Sequence, residues 1–415
     1  MRRVAITGVG ILSSIGNSYP EFIDSLKRGR SGVSAVPEWV ELGLRCTIAG
    51  QLEGIDDLRR QSDISDDQLK CMSDAALYCA LAAQQAVGDA GLTAGDLEGR
   101  RTGCIVGSGI GGTGAIYEGG RLLYSNQLRR VRPYIVLHTM ASSCSANLAA
   151  LFKIGGSSYS ISSACTTSAH CIGHGFELVR DGQLDLVLVG GGEEINALVG
   201  GAFNAMRVVL STRFNHTPNR ASRPFDVDRD GFVMAEGAGI LILEDMERAV
   251  SRGAHIRGEI IGYAANSGGA GMVLPEAHGT SAAACIEGAL LDADVDPGSI
   301  DYVNAHGTST IQGDLSEALA LRRVFGVPGP PVSSTKSMTG HALGAIGAHE
   351  LISCLAMLEN GFIAPSINID ALDPEFEGLD VVRETRECEL TVAVSNSFGF
   401  GGTNAVLIVR RSALG

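Results

Sequence analysis

Positive charge is scarce in this sequence: 32 lysines and arginines stand against 46 acids, a net charge of −14 over 415 residues. That balance argues against a nucleic-acid binder and against adhesion to an anionic membrane, while leaving room for a local basic patch. Lysine itself occurs only at Lys27, Lys70, Lys153 and Lys336, so a lysine inside a motif is not filler. Ten cysteines are scattered without a C-x-x-C pair, which excludes a zinc ribbon and a thioredoxin motif. A chain this long needs no disulfide staples, and the scatter reads as reduced thiols in a cytoplasm. No apolar run approaches the ~18 residues of a membrane span. The first residues carry two arginines and an apolar stretch broken by Gly8 and Gly10, with no small-residue cleavage site. They read as a first strand and not as a signal peptide. A P-loop and a G-x-S-x-G elbow are both missing. GSGIGG at 107–112 does not match G-x-G-x-x-G opening a helix with an acid ~20 residues later.

Glycine is in excess, at 55 positions, well above its usual ~7% share. Hydrophobic residues make up 45%, enough to bury a sizeable core and to exclude wholesale disorder. Short apolar runs alternate with helical patterns, which predicts an α/β fold with largely buried strands. Strands are expected over 4–7, 103–107, 159–163, 184–189, 239–243, 259–264, 302–305, 332–334, 391–395 and 405–409. Helices are expected over 74–90, 166–180, 279–291, 314–324 and 344–358, with Asp314 as an N-cap and Gly91 just past a C-terminus. A coarse duplication runs through the chain, since in each half a strand passes through Ser-Ser into a helix start. One such turn carries Cys165; the other carries Lys336 with His341. Two halves follow, 1–252 with the cysteine and 253–415 with two histidines of interest.

Cys165 follows YSISSA and opens a helix with Thr166, Thr167, Ser168 and Ala169. A thiol at a helix N-terminus meets unpaired N–H groups and the positive dipole end, which favours thiolate. Small neighbours let a substrate reach the backbone, whose N–H groups can hold an oxyanion. The bland alternative is a buried, inert thiol, and Cys171 is read that way. His306 in NAHGTST and His341 in TKSMTGH each follow a strand and precede small or hydroxyl residues that leave room for a ligand. Their equivalent places in the duplicated unit, beside the cysteine turn, point to one shared site. His170 and His174 have a zinc-like i, i+4 spacing, but no Glu follows the first as in H-E-x-x-H, so no metal site is expected. His138, His216, His255, His278 and His349 are read as structural. SNSFGFGGTN at 395–404 sets two phenylalanines in a run too flexible for core, and reads as a mobile gate or a backbone oxyanion donor.

These motifs together resemble the elongating β-ketoacyl-acyl-carrier-protein synthases, types I and II. The similarity runs from VAITGVGILSSIG to NSFGFGGTNA through SSACTTSAH, FDVDRDGFVMAEGAG, NAHGTST, SSTKSMTGH and FIAPSIN. The YSISSAC, CIGHG and GGGEE stretches lean toward type I. The resemblance implies a thiolase fold, with duplicated half-domains in a five-layer αβαβα sandwich, working as a homodimer. It implies that Cys165 takes an acyl chain from a carrier protein's phosphopantetheine, so that no cofactor belongs to this chain itself. Malonyl-carrier protein would then lose CO₂ and its carbanion attack the thioester, giving a 3-oxoacyl product in fatty-acid elongation. By the same resemblance His306 and His341 stabilise the enolate, and the N–H groups of Cys165 and Phe400 form the oxyanion hole. Lys336 organises the site with Glu350 as charge partner; Thr308 and Thr310 line the pantetheine tunnel. Phe398 and Phe400 form the gate, and Ile110, Phe203 and Met206 the acyl pocket.

Two places depart from the family's pattern. Ile110 stands where type I enzymes tend to have glycine, which bears on chain length. The segment before the MSDA helix, usually basic, reads SDISDDQLK with Asp66 and Asp67, and only Lys70 keeps the sign. Arg129, Arg130, Arg132 and Arg207 supply the rest of the expected dock for an acidic carrier protein. Those departures keep in view a specialised ketosynthase of a polyketide or aryl-polyene pathway. A non-catalytic chain-length partner subunit is the remaining alternative, and Cys165 counts against it. A degradative thiolase would want a second cysteine near the C-terminus, whereas Cys388 lies outside the glycine-rich loop.

Overall fold

Ten strands lie side by side in one mixed sheet, and their order repeats. The computed structural model describes residues 1–207, 209–269 and 271–412. The strands are β1 Val4–Leu12, β2 Thr102–Gly107, β3 Ser158–Tyr159, β4 Leu186–Glu193, β5 Gly237–Asp245, β6 Gly258–Ser267, β7 Tyr302–Asn304, β8 Val332–Ser333, β9 Val392–Gly399 and β10 Thr403–Arg411. Read from each outer edge inward, the order is β3-β2-β4-β5-β1 and then β8-β7-β9-β10-β6. Pairing directions repeat as well. β2 runs parallel to β3 and β4, with β5 antiparallel to β4 and β1. β7 runs parallel to β8 and β9, with β10 antiparallel to β9 and β6. The halves join where Val4, Ala5 and Ile6 of β1 pair with Ile260, Glu259 and Gly258 of β6.

Helices complete five layers. α1 (Asp74–Asp89) covers one half-sheet from outside, packing on β1, β5 and β4. α3 (Thr167–Arg180) and α7 (Ile346–Asn360) touch each other and both half-sheets, so they form the middle layer. Between them in the chain come α2 (Thr113–Tyr124), α4 (Ala197–Ala205), α5 (Thr280–Ala293) and α6 (Ile311–Phe325). α5 packs outside on β6 and β10, with α6 beside it. α7 is buried on every side from Ile346 to Met357, as a helix flanked by sheet on both faces must be. The glycines that break the first apolar run now have a reason. A Cβ at Gly8 would lie 2.2 Å from Ala86 O, and one at Gly10 would lie 1.9 Å from Ala82 O, so β1 and the alanine-rich α1 touch backbone to backbone.

All ten expected strands and all five expected helices occur, with three corrections. β3 ends at Tyr159 instead of running to Ser163, because serine hydroxyls take over the backbone pairing: Ser160 Oγ donates to Val106 O at 2.6 Å. Asp314 is not an N-cap; α6 starts at Ile311, and the buried Asp314 carboxylate accepts from the N–H groups of Ser309 and Phe225 at 3.0 Å each. The run 395–404 is largely strand, since β9 reaches Gly399 and β10 starts at Thr403, leaving only Phe400–Gly402 as the turn. Among the described residues no helix is long and apolar enough to cross a membrane, and all ten cysteines are free.

Candidate active site

Three chain segments bring their chemistry to one point. Leaving β3, the chain turns through Ala164, held at φ 52, into the short turn Ala164–Thr166 and then α3. A left-handed alanine costs ~1–3 kcal/mol and marks a turn over-determined by its surroundings; here it presents Cys165. Thr166 Oγ1 secures it, bonding Ser163 O at 2.6 Å and Thr403 Oγ1 at 2.8 Å. His306 follows β7, and the buried Glu317 of α6 fixes its loop by accepting from the N–H groups of His306 and Gly307 at 2.8 Å each. His341 is held by its own N–H, which donates to Val233 O at 2.7 Å.

The geometry that results is compact. His341 Nε2 lies 3.0 Å from Cys165 Sγ. The His306 and His341 rings are edge to face, with centroids 5.5 Å apart. Lys336, only 1% exposed, sets Nζ 3.3 Å from His306 Nδ1 and pairs with the Glu350 carboxylate. An ammonium can only donate, so Nδ1 of His306 is an acceptor and its proton sits on Nε2. A cavity of about 320 Å³ opens onto Cys165, His306 and His341. Its wall includes Thr308 and Thr310, whose hydroxyls are 2.9 Å apart, with Phe398, Phe400, Phe203 and Phe232.

Burial governs the protonation states. It pushes the Cys165 thiol up to about 11, against the Lys336 charge and the backbone N–H groups of Phe400 and Cys165 that lower it. Desolvation therefore opposes the helix-end preference for thiolate, and at that raised value the sulfur faces the imidazole as a thiol. Burial first, and then the Lys336 charge, hold both His306 and His341 well below their usual pKa, so both rings are neutral at pH 7. Burial also raises Glu350 to about 8 despite the Lys336 ammonium beside it. A thiol, a neutral imidazole at hydrogen-bond distance, and two N–H groups converging on the sulfur can accept an acyl group and hold the oxyanion that forms.

Comparison with known proteins decides the family. The model for the β-ketoacyl synthase N-terminal domain matches residues 1–249, and that for the C-terminal domain matches 257–370. The chain belongs to the β-ketoacyl synthase family. It is 48% identical over 413 residues to 3-oxoacyl-[acyl-carrier-protein] synthase 1 of Haemophilus influenzae, covering 99% of both chains. The Escherichia coli protein of that name is 47% identical over 413 residues, again 99% of each. Among solved structures, a β-ketoacyl synthase from Burkholderia phymatum gives a TM-score of 0.93 at 36% identity, over 99% of this chain and 100% of that one. A type II PKS acyl-carrier protein in complex with its ketosynthase gives 0.90 at 32% identity, over 99% and 100%. The family's thiolase-fold architecture is the repeated sheet described above.

The remaining expected residues of this β-ketoacyl synthase fall in different places. Of the acyl-pocket set, Phe203 lines the cavity, and Met206 packs into the same apolar cluster. Ile110 is outside the lining, 39% exposed on the 107–112 turn. In the docking set, Lys70 is matched internally by Asp67 at 2.6 Å, whereas Arg129, Arg130, Arg132 and Arg207 are exposed. Sequence reasoning passed over Glu317, Phe232, which sets its ring 5.3 Å from His341, and Glu193. The signal for Glu317 was present: it lies on α6 beside Ala318 and Leu321, an acid set into a buried helix face.

Proposed function

We propose that this chain carries out the decarboxylative condensation of fatty-acid elongation, with Cys165 as nucleophile and His306 and His341 as the decarboxylating pair. Full-length similarity to 3-oxoacyl-[acyl-carrier-protein] synthases supports the reaction. The observation that carries the residue assignment is the 3.0 Å contact of Cys165 Sγ with His341 Nε2, in a cavity that also holds His306. In the first half-reaction Cys165 Sγ attacks the acyl thioester; the bond to the carrier's phosphopantetheine sulfur breaks, and the thiol proton passes through His341 to that sulfur. The N–H groups of Cys165 and Phe400 hold the oxyanion. In the second, malonyl thioester loses CO₂, and the His306 Nε2–H and His341 stabilise the enolate. Its carbon attacks the acyl–Cys165 thioester, the C–C bond forms and the cysteine sulfur leaves as a thiolate, which takes up a proton from solvent to return to the thiol. Each donor aimed at developing charge is commonly worth ~3–4 kcal/mol. Phosphopantetheine arrives on the carrier protein, Thr308 and Thr310 flank its path, and Phe398 and Phe400 gate it.

The same reading extends to partners. An acidic carrier protein docks on Arg129, Arg130, Arg132 and Arg207, since Lys70 is already paired with Asp67. The chain works as a homodimer: Ile116, Tyr117, Leu123 and Tyr124 of α2 and the nearby Leu128 and Val136 are exposed, Tyr124 by 89%. Monomers seldom leave such a patch open. Its free cysteines suit a cytoplasmic site of action. Intact mass spectrometry after incubation with acyl-carrier protein tests the core of the proposal. The parent chain should gain one acyl adduct at Cys165 and the Cys165→Ala variant none; condensation by that variant would sink the assignment.

A further inference from the structure

Outside the catalytic set, one buried acid fastens two turns that pack beside the site. Glu193 ends β4 and is 0% exposed, and its carboxylate accepts four hydrogen bonds. Oε1 receives Ser108 Oγ at 2.6 Å and the Ile110 N–H at 3.3 Å. Oε2 receives the Gly109 N–H at 2.8 Å and the Gly344 N–H at 2.9 Å. Gly344 is three residues past His341, in the turn Leu343–Ala345. Gly109 abuts the residue before the nucleophile: a Cβ placed on it would lie 2.7 Å from Glu193 Oε2, 3.2 Å from Ala164 O and 3.3 Å from Gly344 N. A Cβ on Gly344 would lie 2.3 Å from Gly109 N. Three turns therefore meet with no room for side chains between them: the carboxylate bonds the 108–110 turn to the 343–345 turn, and the 108–110 turn holds the approach to Cys165, where Ser162 Oγ donates to Gly109 O at 3.2 Å. All four partners can donate to the carboxyl oxygens, and these bonds oppose the burial that raises its pKa to about 7.

We infer that Glu193 is a positioning residue for acyl transfer, tying the Cys165 turn and the His341 turn together so that sulfur and imidazole keep their contact. The inference rests on the reading of Cys165 as nucleophile. Cys165 comes from one half of the molecule and His341 from the other, so their alignment needs a link that crosses the halves. The Glu193–Gly344 bond is such a link, beside the Thr166–Thr403 and His341–Val233 bonds described above. A carboxamide at 193 keeps the volume but offers one acceptor oxygen and turns an NH₂ toward N–H donors, so at least one fastening fails. It also removes a negative charge that faces Cys165 and raises its pKa, which by itself makes the thiol more reactive.

The test uses that opposition in the full-length chain. In Glu193→Gln, iodoacetamide should label Cys165 at least as fast as in the parent. Single-turnover acyl transfer from acyl-carrier protein should fall about tenfold or more, the usual weight of hydrogen bonds to a charged group, with KM for the carrier within about twofold. A merely structural role would lower the melting temperature and leave that ratio of acylation to alkylation unchanged. Glu193→Asp keeps the charge but is too short to span the turns, and should lose acyl transfer with labelling unchanged. It carries the test if the glutamine variant does not fold. Acyl transfer at the parent's rate in either folded variant overturns the inference alone. An acyl adduct on a cysteine other than Cys165 in the parent overturns the nucleophile assignment and this inference with it.

Discussion

Lys336 is the side chain on which both histidines depend. Its Nζ fixes the His306 tautomer across 3.3 Å, and its charge joins burial in holding both rings neutral. In the proposed reaction acyl transfer needs neutral His341 to take the Cys165 proton, and protonation of that ring removes the acceptor. Because the His341 pKa is held well below its usual value, the parent's acylation rate should stay level as pH falls through 6.5 and drop only in more acid solution. A pH–rate profile with its acid limb centred at 6.5 would contradict this. Replacing Lys336 with Met removes the smaller of the two causes, so the limb should move upward toward, but not reach, the ordinary histidine value. The same variant should cut malonyl decarboxylation by about 10²–10³, the range seen when a preorganised donor is lost, with carrier KM unchanged. Steady-state kinetics with malonyl-carrier protein reads both quantities.

At the scale of elements, strands and helices were legible because each depends on residues adjacent in the chain. β1 was readable as a strand from 4–7, yet its glycines made sense only beside α1. Gly10→Ala sets a methyl 1.9 Å from Ala82 O and should destabilise by roughly 1–3 kcal/mol, the cost of overpacking. That loss would register as a lower denaturant midpoint with an unchanged slope. The turn between β9 and β10 gives the opposite kind of prediction. Thr403 Oγ1 joins β10 to Thr166 of the nucleophile turn at 2.8 Å, near the Phe400 N–H that meets the sulfur. Thr403→Val keeps the shape and breaks the link. Acyl transfer should fall about tenfold, near the loss of one buried hydrogen bond, while the melting temperature moves by only a degree or two. An unchanged acylation rate would mean that the two turns are held by other contacts. Two of the misread elements share one cause: the Ser160 hydroxyl donates to Val106 O and the Asp314 carboxylate accepts from the Phe225 N–H, and local patterning carries no record of those partners.

For the whole molecule, net charge bounded the class while its distribution leaves a cluster of exposed arginines. At −14 the chain repels polyanions in general, but Arg129, Arg130 and Arg132 lie exposed together. Arg129→Glu with Arg130→Glu should raise KM for the carrier protein severalfold, more at low salt than at high, and spare a small pantetheine thioester. A KM unmoved at low salt would place the dock elsewhere. Association belongs to this scale too. Light scattering should give twice the chain mass for the parent, and Tyr117→Asp with Tyr124→Asp should shift it toward one. The amino-acid sequence by itself determined the α/β class and a coarse duplication, and singled out the cysteine turn and two histidines, since composition, periodicity and short motifs are local properties. Only the tertiary structure decided that burial raises the Cys165 pKa, that His341 reaches Cys165 across 176 positions, and that Glu193 bonds Gly344 across 151. Desolvation and long-range hydrogen bonds exist only once the two halves have closed on each other.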